Sequence, residues 1–503
     1  MRCKAGFVFA LLIAGTLPVS AREAPAQTLE QLAPAIDELF TGFQAEAHIP
    51  GLVYGVVRDG KLAYVKGLGV QDLDARRPVT PDSLFRIASM TKAFTALAIL
   101  QLRDEGKLHL DDLAEDYVPE MKGLVYPTVD SPRIRVRDLL HHLGGLVTDD
   151  PWGDRQQVLS NEEFAAIIAA GVPFSRVPQT QHEYSNFGYA LLGRVVSKAS
   201  GMAYGDYVRS RILAPLGMDS TGYEVGAVPR DRLALGYRWE NERWSAEPEM
   251  HDGAFGSMGG LVTSANDYAR WVAFLLSAWP PRDDPDTGPI RRATVREIAQ
   301  GLNFVSVTTR IGASGETACR QAAAYAMGWR VAQDCDLGLT LAHGGGYPGY
   351  GSHVMLMPAY GVGIFALANR TYAGPSAPAW DAAVAMDQAG LLVDRAVPVS
   401  EPVATMFAAV RKAYAAGGLG PLEGRLAMNF LLDRSTENWA AEFARLKTEV
   451  GECASAEPLE PTGALSARFR LVCAKGMLDG NLLLAPTNPA TLQALRLRVV
   501  PRG

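Results

Sequence analysis

The sequence predicts a mixed α/β (α+β) chain: one antiparallel sheet flanked by terminal helices, a helical lobe inserted into it, and then a small α+β domain. Three observations predict it. Strand patterns lie at both ends of the first four-fifths of the chain, and helical periodicity fills the stretch between them. After a break between Pro398 and Pro402 the pattern starts again. Residues 28–395 therefore form the larger domain and 402–503 the smaller.

The elements follow in order. Thr28-Leu29-Glu30-Gln31 is a capping-box pattern, and Ile36, Leu39, Phe40, Phe43 and Ala47 then share one helical face. Leu52 to Val57 and Leu62 to Val65, joined through Arg58-Asp59-Gly60, read as a hairpin. Helices are expected near Lys92–Asp104, Arg137–His142, Glu162–Ala170, Tyr189–Lys198, Tyr204–Ile212 and Ser264–Leu276. The region from Arg282 to Ala318 gives no clear period. Short strands are expected over Tyr325–Val331, Gly338–Ala342, Ser352–Met357 and Val362–Leu367, with Pro358-Ala359-Tyr360-Gly361 as the last turn. A helix over Pro378–Leu392 closes the domain. Beyond the break come helices over Val403–Ala415 and Thr436–Val450, then alternating strands in which Phe469, Leu471 and Cys473, and later Leu495, Leu497 and Val499, share a face. No catalytic motif lies there.

With 20% charged and 48% hydrophobic residues the composition is that of an ordinary globular protein. The net charge of -6 comes without a Lys/Arg cluster, which disfavours nucleic-acid binding. Arg2 and Lys4, an apolar run from Ala5 to Ala14, and Val19-Ser20-Ala21 form a secretory signal pattern over residues 1–21, so export to a periplasm or medium is expected, with no membrane span in the mature chain. Cys319, Cys335, Cys453 and Cys473 then remain. An even count in an exported chain suggests disulfides, and proximity favours Cys319–Cys335 and Cys453–Cys473.

The chemistry centres on Ser89-Met90-Thr91-Lys92, read as the first turn of a helix, with Ser89 and Lys92 stacked on one face. A serine hydroxyl needs a base within reach, a role Lys92 can fill, and the helix start offers N–H groups where an oxyanion would develop. In Tyr184-Ser185-Asn186, the Tyr184 phenol can relay a proton and Asn186 can offer its amide to a substrate. In His343-Gly344-Gly345-Gly346, expected at a strand end, the glycines admit a ligand to the backbone, and the Gly346 N–H can join that of Ser89 as oxyanion donor. His141 and His142 read as packing or capping residues. Tyr347, Tyr350 and the Asp149 to Asp154 loop with Trp152 either wall the cleft or form surface turns. No His-Glu-x-x-His or paired Cys motif suggests a metal, no cofactor is implied, and Gly-x-Ser-x-Gly is absent.

These three elements, in this order, resemble the serine β-lactamase and penicillin-binding superfamily: class C β-lactamases, DD-peptidases, D-aminopeptidases and family VIII carboxylesterases. Supporting stretches are Pro50-Gly51-Leu52, Arg137-Asp138-Leu139-Leu140-His141-His142-Leu143-Gly144-Gly145-Leu146, Gly259-Gly260-Leu261-Val262 and Gly328-Trp329. The resemblance implies a β-lactamase-like fold, with Ser89 the acylated nucleophile, Lys92 its activator, Tyr184 the proton shuttle and Asn186 a substrate ligand. It places His343, with Gly344 and Gly345, where the family more often carries a strand lysine. Histidine is a weaker fixed cation, which disfavours efficient cephalosporin hydrolysis. The expected activity is hydrolysis of an amide or ester in a small molecule or peptide, β-lactamase or DD-peptidase-like on D-amino-acid compounds, with a carboxylesterase as alternative. A non-catalytic penicillin-binding sensor is the alternative of another class. The sequence leaves the oligomeric state open.

Overall fold

The computed structural model describes residues 27–147, 153–311 and 318–500. The expected signal segment lies outside them. Helix α1 (Leu29–Glu46) opens on the expected capping box, in which the Gln31 N–H donates to Thr28 Oγ1 and the Thr28 N–H to Gln31 Oε1. The hairpin of β1 (Gly51–Arg58) and β2 (Lys61–Asp72) turns at Asp59 and Gly60, both at positive φ, which is the backbone an Asp-Gly turn favours. A short β3 (Arg77–Pro78) follows.

The chain then leaves the sheet to build the lobe around α2 (Lys92–Asp104), α3 (Asn186–Ser200) and α4 (Ala265–Leu276). It returns as β4 (Asn303–Ile311), β5 (Ala318–Tyr325), β6 (Arg330–Asp334), β7 (Gly338–Tyr347), β8 (Tyr350–Met357) and β9 (Val362–Ala368), and ends the domain with α5 (Ser376–Gln388). The nine strands form one antiparallel sheet in the order β3-β2-β1-β9-β8-β7-β6-β5-β4. Leu52 of β1 lies opposite Leu68 of β2 and Ala368 of β9, so the two ends of the domain meet in the middle of the sheet.

β1 is apolar throughout because both its faces are covered. Leu52, Tyr54 and Val56 pack with Ile36 and Phe40 of α1 and with Ala382 and Met386 of α5. Val53 and Val57 face the opposite core, which includes Trp271 of α4 and Phe94 of α2.

Several expectations change. Tyr325–Val331 is not one strand: β5 ends at Tyr325, and the chain turns through Gly328, at φ 78°, before β6. A Cβ on Gly328 would press on the Ala93 backbone and the Lys92 carbonyl, so this turn seats the start of α2. His343 to Gly346 lie inside β7, which runs on to Tyr347, and do not end a strand. Tyr204–Ile212 is helical as expected, passing from α-helix to π-helix after Val208. The region from Arg282, silent in sequence, contains the helix Arg292–Glu297 and edge strand β4.

The C-terminal domain carries α6 (Glu401–Ala416), α7 (Thr436–Val450) and strands β10 (Cys453–Ala456), β11 (Glu460–Gly463), β12 (Ser466–Cys473), β13 (Met477–Ala485) and β14 (Thr491–Val500). Its sheet runs β10-β12-β13-β14, with β11 also on β12. Trp439, Phe443, Leu446 and Val450 of α7 pack against Phe469, Leu471 and Leu495 in a core of its own. Cys453 and Cys473, opposite each other on β10 and β12, form the expected disulfide. Cys335 is also disulfide-bonded, whereas the side chain of Cys319 lies outside what is described. Among the described residues no helix is long and apolar enough to cross a membrane.

Candidate active site

Ser89 is the second residue of a tight 3-10 turn, Ala88–Thr91, and α2 proper begins at Lys92. This corrects the expected α-helical first turn, yet the consequence survives, because three residues of 3-10 helix also bring side chains into line. Ala88 sits at φ 48°, a left-handed backbone that strains a residue with a Cβ by about 1–3 kcal/mol. Packing holds it there. Gly345 of β7 touches Ala88 and leaves no room for a side chain against the Ile87 carbonyl, to which Ser352 of β8 donates at 2.8 Å.

Around Ser89 the expected residues converge. Lys92 Nζ donates to Ser89 Oγ at 3.0 Å, and the Tyr184 hydroxyl donates to the same oxygen at 2.9 Å. Lys92 is fully buried and also donates to Asn186 Oδ1 at 2.7 Å and to the Met258 carbonyl at 2.8 Å. Three acceptors match the three N–H groups of an ammonium. The faces of Tyr184 and Tyr189 lie 5.0 and 5.5 Å from Nζ, adding attraction from two ring quadrupoles. Asn186, expected to meet the substrate, is thus first a ligand of Lys92.

Tyr184 is braced from behind by His142, whose ring centre lies 4.3 Å from its own and whose Nδ1 accepts from the Ser185 N–H at 3.1 Å. Complete burial and the Lys92 charge hold the His142 imidazole well below its ordinary pKa, so it packs as a neutral ring. His141 turns away to the Tyr325 carbonyl. His343 lies beyond Tyr184, ring centres 6.3 Å apart, and bonds to the Tyr325 hydroxyl at 2.9 Å. Burial, then the nearby Lys92, push its pKa down to about 3.

Met258, Tyr189 and Tyr325 escaped the sequence reading. Met258 acts through its carbonyl, which any residue could supply; its only signal was its place before Gly259-Gly260-Leu261. Tyr325 was hidden inside an expected strand, although Gly328-Trp329 marked the turn beside it. Tyr347 and Tyr350 flank the turn at Pro348 and Gly349, and both are buried. Tyr347 is buried under the Arg86 guanidinium, and the Tyr350 hydroxyl is bonded to the Ala234 carbonyl. Asp149 to Trp152 lie outside the described residues. Among the described residues one group of potential metal ligands stands together, Asp334, Cys335 and Asp336, and the Cys335 sulfur is taken by its disulfide. A cavity of about 880 Å³ is lined by residues of the C-terminal domain alone.

A nucleophile with two proton-handling donors, set between the internal strand β7 and a helical lobe, agrees with the family model described as Beta-lactamase, which matches residues 36–388. The chain belongs to the β-lactamase family. It is similar to Protein flp of Staphylococcus aureus strain N315, 30% identical over 339 residues, which cover 66% of this chain and 62% of that protein. It is also similar to Beta-lactamase-like protein 2 of Dictyostelium discoideum, 34% identical over 268 residues, covering 52% of this chain and 48% of that one. The chain thus spans less than two thirds of the length of these curated relatives. The octameric penicillin-binding protein homologue from Pyrococcus abyssi shares the fold, with a TM-score of 0.59 at 21% identity over 92% of this chain and 99% of that one. As a β-lactamase-family fold, the mixed architecture with its large antiparallel sheet and added C-terminal sheet domain is as the sequence implied.

Proposed function

We propose that the protein is an exported serine hydrolase that cleaves an amide or ester through an acyl-enzyme at Ser89. The observation that carries this reading is the double approach of Lys92 Nζ and the Tyr184 hydroxyl to Ser89 Oγ. Ser89 Oγ attacks the substrate carbonyl carbon while its proton passes to Tyr184 or Lys92, whichever has given up its own. The new oxyanion lies by the N–H groups of Ser89 and Gly346, an arrangement favoured by the close seating of β7 against the Ser89 turn. Collapse of the intermediate breaks the bond to the leaving group, which takes its proton from Tyr184. Water then repeats the sequence on the acyl-enzyme, losing a proton to Tyr184 and returning one to Ser89.

Ser89→Ala removes the attacking oxygen and is expected to abolish turnover of activated esters and labelling by a fluorophosphonate. Labelling retained at another residue overturns the proposal. A long-lived adduct without turnover in the natural sequence instead identifies a sensor.

A further inference from the structure

We propose that Tyr325 is a positioning residue that locks His343 as an uncharged ring, making the cleft selective for substrates whose end beside β7 carries no carboxylate. This rests on the hydrolase reading above and names its substrate class. His343 Nδ1 lies 2.6 Å from the Gly344 carbonyl oxygen, which can only accept, so Nδ1 carries a proton. In the neutral ring Nε2 then accepts, and its partner is the Tyr325 hydroxyl at 2.9 Å. Both ring nitrogens are held by the protein.

Tyr325 is itself fixed. Its N–H donates to Asn303 Oδ1 at 2.9 Å, its carbonyl faces His141 Nδ1, and its ring lies 4.5 Å from that of His142. A phenol this buried, with its own ionisation pushed far upward, stays a donor, and donation to Nε2 stabilises the neutral imidazole. The other groups around His343 act the same way. Lys92 on α2 repels a second positive charge, and His353 on β8, held near pH 4 by burial, is neutral too. Tyr184 is a phenol, His142 a neutral ring, and no carboxylate is among the described groups that shift His343.

Lys92 offers an incoming carboxylate little, since its N–H groups already meet Ser89, Asn186 and Met258. A carboxylate at β7 would lose water and meet no fixed cation. Neutral esters and amides pay no such penalty. Acylated amines and esters are thereby favoured over peptides ending in a free D-amino-acid carboxylate.

The test uses the full mature chain and two probes with one leaving group: the p-nitrophenyl ester of adipic acid, anionic at its far end, and the methyl ester of that compound. The expected result is kcat/KM at least about tenfold higher for the neutral probe, nearly constant from about pH 6 to 8, where the acid probe is almost fully ionised. His343→Lys is expected to narrow or reverse that ratio. Tyr325→Phe is expected to raise the His343 titration midpoint, read by NMR, and to make the ratio fall as the pH is lowered. Equal rates on the two probes with an inactive Ser89→Ala overturn this inference alone. So does a preference for the acid that Arg330→Ala removes, Arg330 being the exposed cation paired with Tyr325 across β5 and β6. A Tyr325→Phe enzyme with the natural ratio, pH profile and His343 midpoint overturns it also. No cleavage of either probe, or equal cleavage by Ser89→Ala, overturns the hydrolase reading and this inference with it.

Discussion

The two domains treat charge and polarity in opposite ways. The larger one covers both faces of its sheet and places a lysine, three tyrosines and two histidines, all but Tyr184 buried, in one cluster around Ser89. The smaller one covers a single face. On β12, Ala467, Phe469, Leu471 and Cys473 are buried while Arg468 and Arg470 point outward, and Arg470 meets Asp479 of β13 at 2.6 Å in the open. Surface pairs of that kind contribute little to stability, whereas buried hydrogen bonds to an ionised group are strong and costly to break. The comparison teaches that chemistry resides where two layers exclude water, and that an added sheet with one wet face contributes surface.

The sharpest test of that division is at Lys92. Lys92→Ala is expected to lower kcat by about 10³-fold or more, as befits loss of a proton-handling partner, while Arg468→Ala and Arg496→Ala leave the chemical step unchanged. Comparable losses in both classes of variant would break the comparison. Next comes the independence of the two cores. Phe40→Ala and Phe443→Ala should each cost about 3–5 kcal/mol, every atom of both rings being buried. In calorimetry each is expected to shift a different transition; one transition moving for both would show that the domains unfold as one.

A slightly smaller effect is expected from Cys453→Ser, which opens the β10–β12 link in the small domain. A loss of about 3 kcal/mol is expected there, with turnover at Ser89 unaffected at temperatures where that domain stays folded. The smallest effect is on pH. All eight histidines precede residue 354, so the small domain has none. Folding keeps His141 and His353 near pKa 4 and His343 near 3, against 6.5 when unfolded, and holds His142 low as well. Between those values the unfolded chain binds protons that the folded chain refuses, so stability declines as pH falls from 6.5 toward 4. Asp252, raised to about 7 chiefly by burial, works in the opposite sense, as do Asp267 and Asp387, but these are three groups against five histidines, burial holding His182 low as well. The larger domain is expected to lose several degrees of Tm between pH 7 and 4.5, with the smaller nearly still.

How much of this was legible in sequence follows from which atoms do the work. Ser89, Lys92, Tyr184 and Asn186 act through side chains at recognisable spacings, and the structure brings them together. Met258 acts through a backbone carbonyl, which no residue name discloses. Tyr325 resembled a strand aromatic, because the turn at Gly328 interrupts a pattern whose apolar residues remain continuous. The three glycines after His343 read as a strand end, yet β7 runs on through them to Tyr347. Tyr347 and Tyr350 read equally as cleft wall or surface turn because Gly and Pro surround them, and tertiary packing with Arg86 and Ala234 buries both. The amphipathic helices, α1 and α7 above all, were legible nearly to the residue, since period and caps are local properties.

The pairing of Leu52 with Ala368 has a consequence for how the molecule is made. β1 pairs with β2 at once but must wait for its other neighbour until some three hundred further residues have been synthesised. So distant a contact slows folding and leaves the nascent chain open to aggregation or to capture by chaperones. That delay suits the export proposed above, since β1 cannot be sealed on both sides before β9 arrives.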